Sequence, residues 1–358
     1  MRFKEQILGL PAYKPAKLIS GPVGELIKLS SNENPLGPSP LAIAALQPLL
    51  ANLHRYPDAA SLTLRHALAN QVGLTPQHVT CSNGSDELIL LLCLAMLETG
   101  DEVVLANGTF ISYLLRTLEV GAIPVRVPLH NYTHDLVAMA AAITPRTRMV
   151  FVCNPNNPTG TTNGAAEVEA FLAQVPHDVL VVMDEAYVEF ATRPDYPDLL
   201  PRLRDGQPNL LLLRTFAKIH GLAGLRLGYA FGHPDLIAYL ERARPTFNVN
   251  LLAQAAGLAA LGDHDHVARS RAHANASRSL MLAELRAMGL DPLPSETNFV
   301  AVPVGDDAAI TSALREHGFT VTPLAGWGLP GLIRISFGTE EQNRAVLQAL
   351  RLSLPPNL

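Results

Sequence analysis

A single lysine, Lys218, follows the apolar run Leu210 to Leu213, where "RTFAKIHGLAGLRLGYA" (214–230) turns from a strand-like segment into a glycine-rich one. An amine at a buried strand end has a lowered pKa and can form a Schiff base with a carbonyl. Arg226, eight residues on, is a candidate anion anchor; a strand end followed by an ordinary polar loop is the bland alternative. "TFAK" has the shape of a T-x-x-K nucleophile, but the chain holds no K-T-G or S-D-N to accompany it. Nor does it hold G-x-x-x-x-G-K-[ST] or G-x-G-x-x-G, which weakens nucleotide readings.

Three further strand ends carry polar groups. Asp184 closes "VLVVMDEAY", where a carboxylate is costly unless it is partnered, by a helix cap, a loop ion pair or a cationic ring nitrogen. Tyr187 adds a phenol three residues later. "CNPNNPTG" (153–160) is a turn stiffened by two Asn-Pro steps, which suits holding the Asn157 amide against a ligand oxygen. "CSNGSDE" (81–87) joins a strand to an apolar helix; Gly84 permits close approach, and Ser85 and Asp86 sit at the helix start, an anion site or a plain N-cap. Together these offer an amine for a carbonyl, a carboxylate for a ring nitrogen, an amide and phenol for a ring oxygen, and an anion cradle. Pyridoxal phosphate has those complementary groups.

The elements that must position these residues follow from hydrophobic pattern. Strands are expected at Val79–Cys81, Glu102–Leu105, Pro124–Val127, Met149–Cys153, Val179–Met183, Leu210–Leu213 and Leu227–Phe231, with helical stretches such as Ser85–Glu98 and Gly164–Gln174 between them. Several runs are apolar throughout, as in strands covered on both faces. The expectation is an α/β protein with a three-layer αβα large domain, a mostly parallel sheet, and ligand groups at the strands' carboxyl ends. That domain is assigned to residues 46–250. A smaller α/β domain is assigned to 1–45 and 251–358, with helices near Leu251–Leu261 and His266–Met288 and strands near Phe299–Pro303, Thr320–Thr322 and Leu332–Ser336.

Composition agrees with this. The 358 residues are 48% hydrophobic and 16% charged, with a formal net charge of −5 and no block of like charge. That argues against a nucleic-acid footprint or a polybasic membrane patch. Cys81, Cys93 and Cys153 share no metal-type spacing and form no even framework, which fits a reducing compartment. "LILLLCLAML" (88–97) is half of a bilayer span, and Pro11 interrupts the N-terminus before a secretory apolar segment develops. A soluble, cytoplasmic protein is expected. "GDHDH" (262–266) reads as a helix start, and no metal is expected. His220 reads as a packed loop residue and Trp327 as a wall of the substrate region.

With these residues in view, the sequence resembles the fold-type I pyridoxal-phosphate aminotransferases, of the histidinol-phosphate aminotransferase group. "KLSSNENPLGPSP", "HRYPD", "SNGSDE", "CNPNNPTGT", "DEAYVEF", "RTFAKIHGLAGLRLGYA", "SETNF" and "GLPGLIRISFGT" carry the resemblance nearly end to end. It implies that Lys218 holds the cofactor as a Schiff base and shuttles a proton, and that Asp184 keeps the ring nitrogen protonated. Asn157 and Tyr187 would bond the phenolic oxygen, and Phe110 would stack on the ring. Gly84, Ser85, Asp86, Thr215 and Arg226 would line the phosphate end. Tyr56 would reach the neighbouring subunit's cofactor, which implies a homodimer. Arg334 would bind the substrate's acidic group, with Tyr13, Asn34 and Asn298 near it. The implied reaction is transamination between histidinol phosphate and 2-oxoglutarate; an aromatic or other neutral amino donor is the alternative, and a decarboxylase a more distant one. Regulators of this fold carry a DNA-binding region, for which the chain has no basic segment.

Two positions depart from the family pattern. Ala217 stands where the family usually has a serine that helps hold the cofactor phosphate, so weaker cofactor retention is expected. Thr322 stands where an arginine often helps bind a second acidic group, which leaves the donor open.

Overall fold

Seven of the apolar runs form one sheet. Its strands are β1 (Val79–Ser82), β2 (Glu102–Asn107), β3 (Ile123–Pro128), β4 (Thr147–Cys153), β5 (Leu180–Asp184), β6 (Leu210–Thr215) and β7 (Gly228–Gly232). The computed structural model that gives this fold describes residues 4–10, 20–21 and 24–355. Strand order is β1-β7-β6-β5-β4-β2-β3, with β7 antiparallel to both neighbours and the other pairings parallel.

The continuous apolar runs are explained by two covered faces. Val150, Val152, Val181, Met183, Leu210 and Leu212 bury into one core, and Met149, Phe151, Leu180, Val182, Leu211 and Leu213 into the other. Side chains alternate in direction along a strand, so both sets must be apolar. Each fully buried leucine contributes roughly 1.5–3 kcal/mol relative to exposure, which helps offset the cost of holding polar groups at the strand ends.

A second core lies under an antiparallel sheet of β8 (Phe299–Pro303), β9 (Thr322–Pro323) and β10 (Leu332–Ser336), in the order β8-β10-β9. Ala274, Met281 and Leu285 of the helix His264–Ala287 pack into it, as do Leu347 and Leu350 of the helix Glu340–Ser353. Asp263 caps the first of these helices by accepting the His266 N–H, so "GDHDH" is a helix start. Tyr187 and Ile219, from the loops after β5 and β6, also bury in this second core. The strand-end loops of the large sheet are thereby pinned against the smaller one.

Two helices at the expected domain boundary pack with the large core. The helix Leu251–Leu261, assigned above to the small domain, buries Ala253, Ala256, Ala260 and Leu261 in the large core, and Ala42 of the helix Pro40–Leu46 joins it. Small residues permit this close packing: a Cβ on Gly257 would meet Leu227 Cδ2 at 2.4 Å. Both helices thus pack with the large core. No helix among the described residues is long and apolar enough to cross a membrane.

Candidate active site

Register aligns the chemistry. Cys153 pairs with Asp184, Asp184 with Leu213, Thr215 with Gly228, and Gly228 with Ser82. The ends of β4, β5, β6 and β1 thus sit side by side, as expected for ligand groups of a parallel sheet.

The lysine loop is held from within. The Ala217 N–H donates to Thr215 Oγ1 at 3.1 Å, Thr215 Oγ1 donates to the Leu227 carbonyl at 3.3 Å, and Phe216 N–H donates to the same carbonyl at 3.0 Å. Thr215, expected to contact cofactor, instead spends its hydroxyl proton on folding this loop. Asn34, expected near the substrate, has Nδ2 donating to the Ile219 carbonyl and to Ser270 Oγ, both at 2.9 Å, while Oδ1 accepts the Leu36 N–H. Its amide is satisfied by the protein, and it positions the lysine loop. His220 is packed on Phe216, with ring centroids 4.9 Å apart. Gly221 has φ +68, and a Cβ there would meet the Gly37 carbonyl oxygen at 2.1 Å, so only glycine lets the two loops touch.

Lys218 Nζ emerges from this loop, donates to the Ser31 carbonyl at 3.1 Å and lies 5.7 Å from the Tyr187 ring centroid. Burial, then the Arg334 and Arg226 charges, lower its pKa to about 7, against the opposing pull of Glu33. Close to neutral pH a substantial share of this amine is therefore unprotonated and nucleophilic.

Asp184 is buried. Its Oδ2 accepts from the Tyr113 hydroxyl at 2.5 Å and its Oδ1 from the Ala186 N–H at 3.1 Å, and it has no salt-bridge partner among the described residues. Burial raises its pKa to about 6 despite the Tyr113 hydrogen bond. A desolvated carboxylate without a counter-cation is a site prepared for one.

The cluster also holds a cation without an anion among the described residues. Arg334, on β10, is buried; Nη2 donates to the Ser30 carbonyl at 2.7 Å and to Thr322 Oγ1 at 3.2 Å, and Nη1 donates to Asn157 Oδ1. Its Nε has no partner, and no carboxylate among the described residues pairs with it. The guanidinium stacks 5.3 Å from the Phe299 centroid and 5.4 Å from that of Trp327. Burial lowers its pKa to about 10, which leaves it charged at neutral pH. Asn157 is fixed by this contact, and its Nδ2 has no protein acceptor among the described residues. The Tyr187 hydroxyl accepts from Asn32 Nδ2 at 2.8 Å, which leaves its own proton to donate. Asn298 Nδ2 ties down the Asn32 carbonyl at 2.9 Å, and its Oδ1 is buried without a partner.

The anion cradle is assembled by glycines. Gly84, at φ +87, precedes the helix Ser85–Met96, and a Cβ on it would meet Arg226 Nη2 at 2.5 Å. A Cβ on Gly228 would meet the Ser85 nitrogen at 2.4 Å. Arg226, in left-handed backbone at φ 55, therefore lies against a helix start whose first N–H groups have no helical acceptor. The Asp86 carboxylate does not face an anion here. It accepts from Arg116 Nη2 at 2.8 Å and from Ser112 Oγ, so only its backbone N–H belongs to the cradle. Phe110 sits 6.2 Å from Trp327 and 5.6 Å from Tyr113, ring centre to ring centre.

Two expected residues are not among this chain's own cluster as described. Tyr56 is 82% exposed and stacks on Phe247 at 4.5 Å, away from this chain's own cluster. Tyr13 falls outside the described residues. Sequence reasoning missed Asn32, Ser31 and Tyr113. Phe110 stands at the N-cap of the helix that carries Tyr113 three residues on, and that spacing is the available signal for Tyr113.

These groups fit pyridoxal phosphate: an unpaired buried carboxylate for a ring cation, a free phenol proton and amide for a ring oxygen, a glycine-built cradle for a phosphate, and a depressed lysine for an aldehyde. The comparisons agree with the geometry. A curated histidinol-phosphate aminotransferase from Moorella thermoacetica is 44% identical over 97% of this chain and 92% of its own length. The crystal structure of histidinol-phosphate aminotransferase from Sinorhizobium meliloti in complex with pyridoxal-5'-phosphate superposes with a TM-score of 0.90 at 30% identity, covering 98% of this chain and 97% of that one. Aspartate aminotransferase from Thermus thermophilus with maleate gives 0.83 at 26% identity, with 92% of each chain covered. The profile of the family "Aminotransferase class I and II" matches residues 24–350, and the chain belongs to that family.

Proposed function

We propose that this aminotransferase uses pyridoxal phosphate held on Lys218 to transfer the amino group of histidinol phosphate to 2-oxoglutarate, a step of histidine biosynthesis. The observation that carries the substrate reading is Arg334, a buried guanidinium without a counter-anion on the same side as the lysine amine. Histidinol phosphate brings a phosphate ester, and 2-oxoglutarate brings carboxylates, so the same cation serves both halves of the exchange. The curated relatives at this level of identity carry that activity in their names.

When bound, pyridoxal phosphate supplies an aldehyde carbon conjugated to an electron-withdrawing ring. The protein's residues do the rest. Asp184 holds a proton on the ring nitrogen. Tyr187 Oη and Asn157 Nδ2 donate to the phenolic oxygen. Arg226 and the N–H groups of Ser85 and Asp86 hold the phosphate, and Phe110 covers a ring face. The Lys218 Nζ, in part unprotonated near neutral pH, would take the proton from the donor's amine-bearing carbon and later return one. The oxo acid is aminated by the same groups in reverse.

The proposal extends to a cytoplasmic homodimer in which Tyr56, exposed in one protomer, reaches its partner's cofactor phosphate. A second reading, an aromatic amino donor, is favoured by one observation: Thr322, whose hydroxyl donates to the Ser30 carbonyl at 3.0 Å, gives Arg334 no second cation to work with. A donor panel scored by loss of cofactor absorbance decides between them. Turnover of histidinol phosphate well above phenylalanine supports the first reading, and the reverse order overturns it. Borohydride reduction should leave the cofactor's mass on Lys218; a wild-type protein that takes up no pyridoxal phosphate refutes both.

A further inference from the structure

Beyond the groups expected to touch the cofactor, one buried residue acts on them from behind. Tyr113 lies on the helix Ile111–Glu119 with no exposed surface. Its ring is stacked on Phe151 with centroids 4.5 Å apart and planes 5° from parallel, and it meets Phe110 edge-on at 5.6 Å. Clamped on two sides, its hydroxyl has one position, 2.5 Å from Asp184 Oδ2. We propose that Tyr113 is a positioning residue that keeps Asp184 ionised and in a single orientation, ready to pair with the ring nitrogen of the cofactor. This rests on the pyridoxal phosphate reading above.

The surroundings of Asp184 show why such a residue is needed. From β4 it faces the buried thiol of Cys153, which burial holds in the neutral form. From its own loop come Glu185, whose charge opposes ionisation although Arg214 pairs with it at 2.8 Å, and the neutral phenol of Tyr187. Lys218, when protonated, is the cation whose charge favours ionisation. Direct donors are two, the Ala186 N–H and the Tyr113 hydroxyl. Burial and the Asp184 charge both raise the Tyr113 pKa, so the shared proton belongs to the phenol and the negative charge to the carboxylate. A merely structural tyrosine would have served as well with its hydroxyl facing a backbone carbonyl.

The test is the pH dependence of cofactor affinity, measured by titrating the cofactor-free full chain with pyridoxal phosphate between about pH 5 and 9. Wild-type affinity should fall below about pH 6, where Asp184 takes up a proton. In Tyr113→Phe the inflection should move up by about one pH unit or more, the effect of losing a hydrogen bond to a charged group. Incorporating 3-fluorotyrosine at position 113, a stronger donor of nearly the same size, should move it down. In an Asp184→Asn background, Tyr113→Phe should cause no such shift. The cofactor's own ionisations are common to all these proteins and cancel in the comparison. An unmoved inflection, or an equal loss at every pH in both backgrounds, overturns the proposal. Should Tyr113→Phe fail to fold, the fluorotyrosine protein decides alone. Failure of the wild type to bind pyridoxal phosphate would instead refute the cofactor reading itself.

Discussion

Replacing Asp184 by asparagine in the cofactor-free protein should stabilise it at pH 8, although the replaced carboxylate makes two hydrogen bonds. The reasoning begins from the folded-state pKa of about 6 against an ordinary value of 3.8, a rise caused first by burial. A raised carboxylate pKa means that stability is fully present below the unfolded pKa and is lost as pH climbs through the folded one. The difference of about 2.2 units corresponds to about 3 kcal/mol above pH 7, and to roughly half of that at pH 5. Asparagine can keep both contacts: Oδ1 still accepts the Ala186 N–H, and Nδ2 can donate to the Tyr113 oxygen, which rotates its proton away. For a chain of this length, 3 kcal/mol is about 4 °C in melting temperature. The assay is thermal unfolding of both cofactor-free proteins at pH 5 and pH 8, repeated with saturating pyridoxal phosphate. The variant should melt higher without cofactor, more so at pH 8, and the order should reverse with it, because the neutral amide cannot pair with a ring cation. A variant that is less stable at pH 8 without cofactor, or a gap that does not narrow at pH 5, would refute the claim that Asp184 is an uncompensated buried charge.

Other substitutions separate binding from folding. Arg334→Gln should raise the KM for the phosphorylated donor about 100-fold, given two charge-assisted hydrogen bonds lost, while leaving the melting temperature unchanged or higher because an unpaired buried charge is gone; a large drop in stability would make Arg334 structural. Gly228→Ala sets a methyl against the Ser85 nitrogen, so affinity for pyridoxal phosphate should fall more than 10-fold while the weak affinity for phosphate-free pyridoxal stays level; parallel losses would show a general distortion. Ala217→Ser should slow cofactor dissociation by about 10-fold or more, since a hydroxyl bonded to a charged phosphate is worth roughly 1.5–3 kcal/mol; an unchanged rate would mean that the remaining cradle leaves that hydroxyl no role.

Much of the fold was legible because consecutive apolar residues, such as Leu210 to Leu213, have few soluble alternatives to a strand covered on both faces. Asp184, Asn157 and Lys218 were legible because they end such strands. Irregular backbone has no period to read, and there the sequence misled. Asn32 and Asn34 stand two apart in "SSNENP", yet Asn32 adopts φ 57 and turns its amide to Tyr187, while Asn34 faces the Ile219 carbonyl and Ser270. The helix Leu251–Leu261 packs its alanines into the large core, a choice that its small apolar residues do not signal in sequence. Tyr113 carries no local signal of its role, since its phenol's partner Asp184 lies across 71 positions of chain.

The sharpest limit concerns charge. Arg214 and Arg334 both stand in apolar strands, and nothing in their neighbours tells them apart. In the fold, Arg214 lies 2.8 Å from Glu185 and is neutralised within the protein. Arg334 meets a carbonyl, an amide, a hydroxyl and two aromatic faces, but no carboxylate among the described residues. Burying a guanidinium without an anion costs several kcal/mol, and a fold retains that cost where a ligand removes it. The same logic applies in the opposite sense to Asp184. A buried cation and a buried anion, each unpaired and within one cluster, are not joined to each other, because Asn157, Tyr187 and Lys218 stand with them at the site. That separation is what a bifunctional ligand requires, one whose cationic ring meets Asp184 and whose reaction partner carries an anion to Arg334.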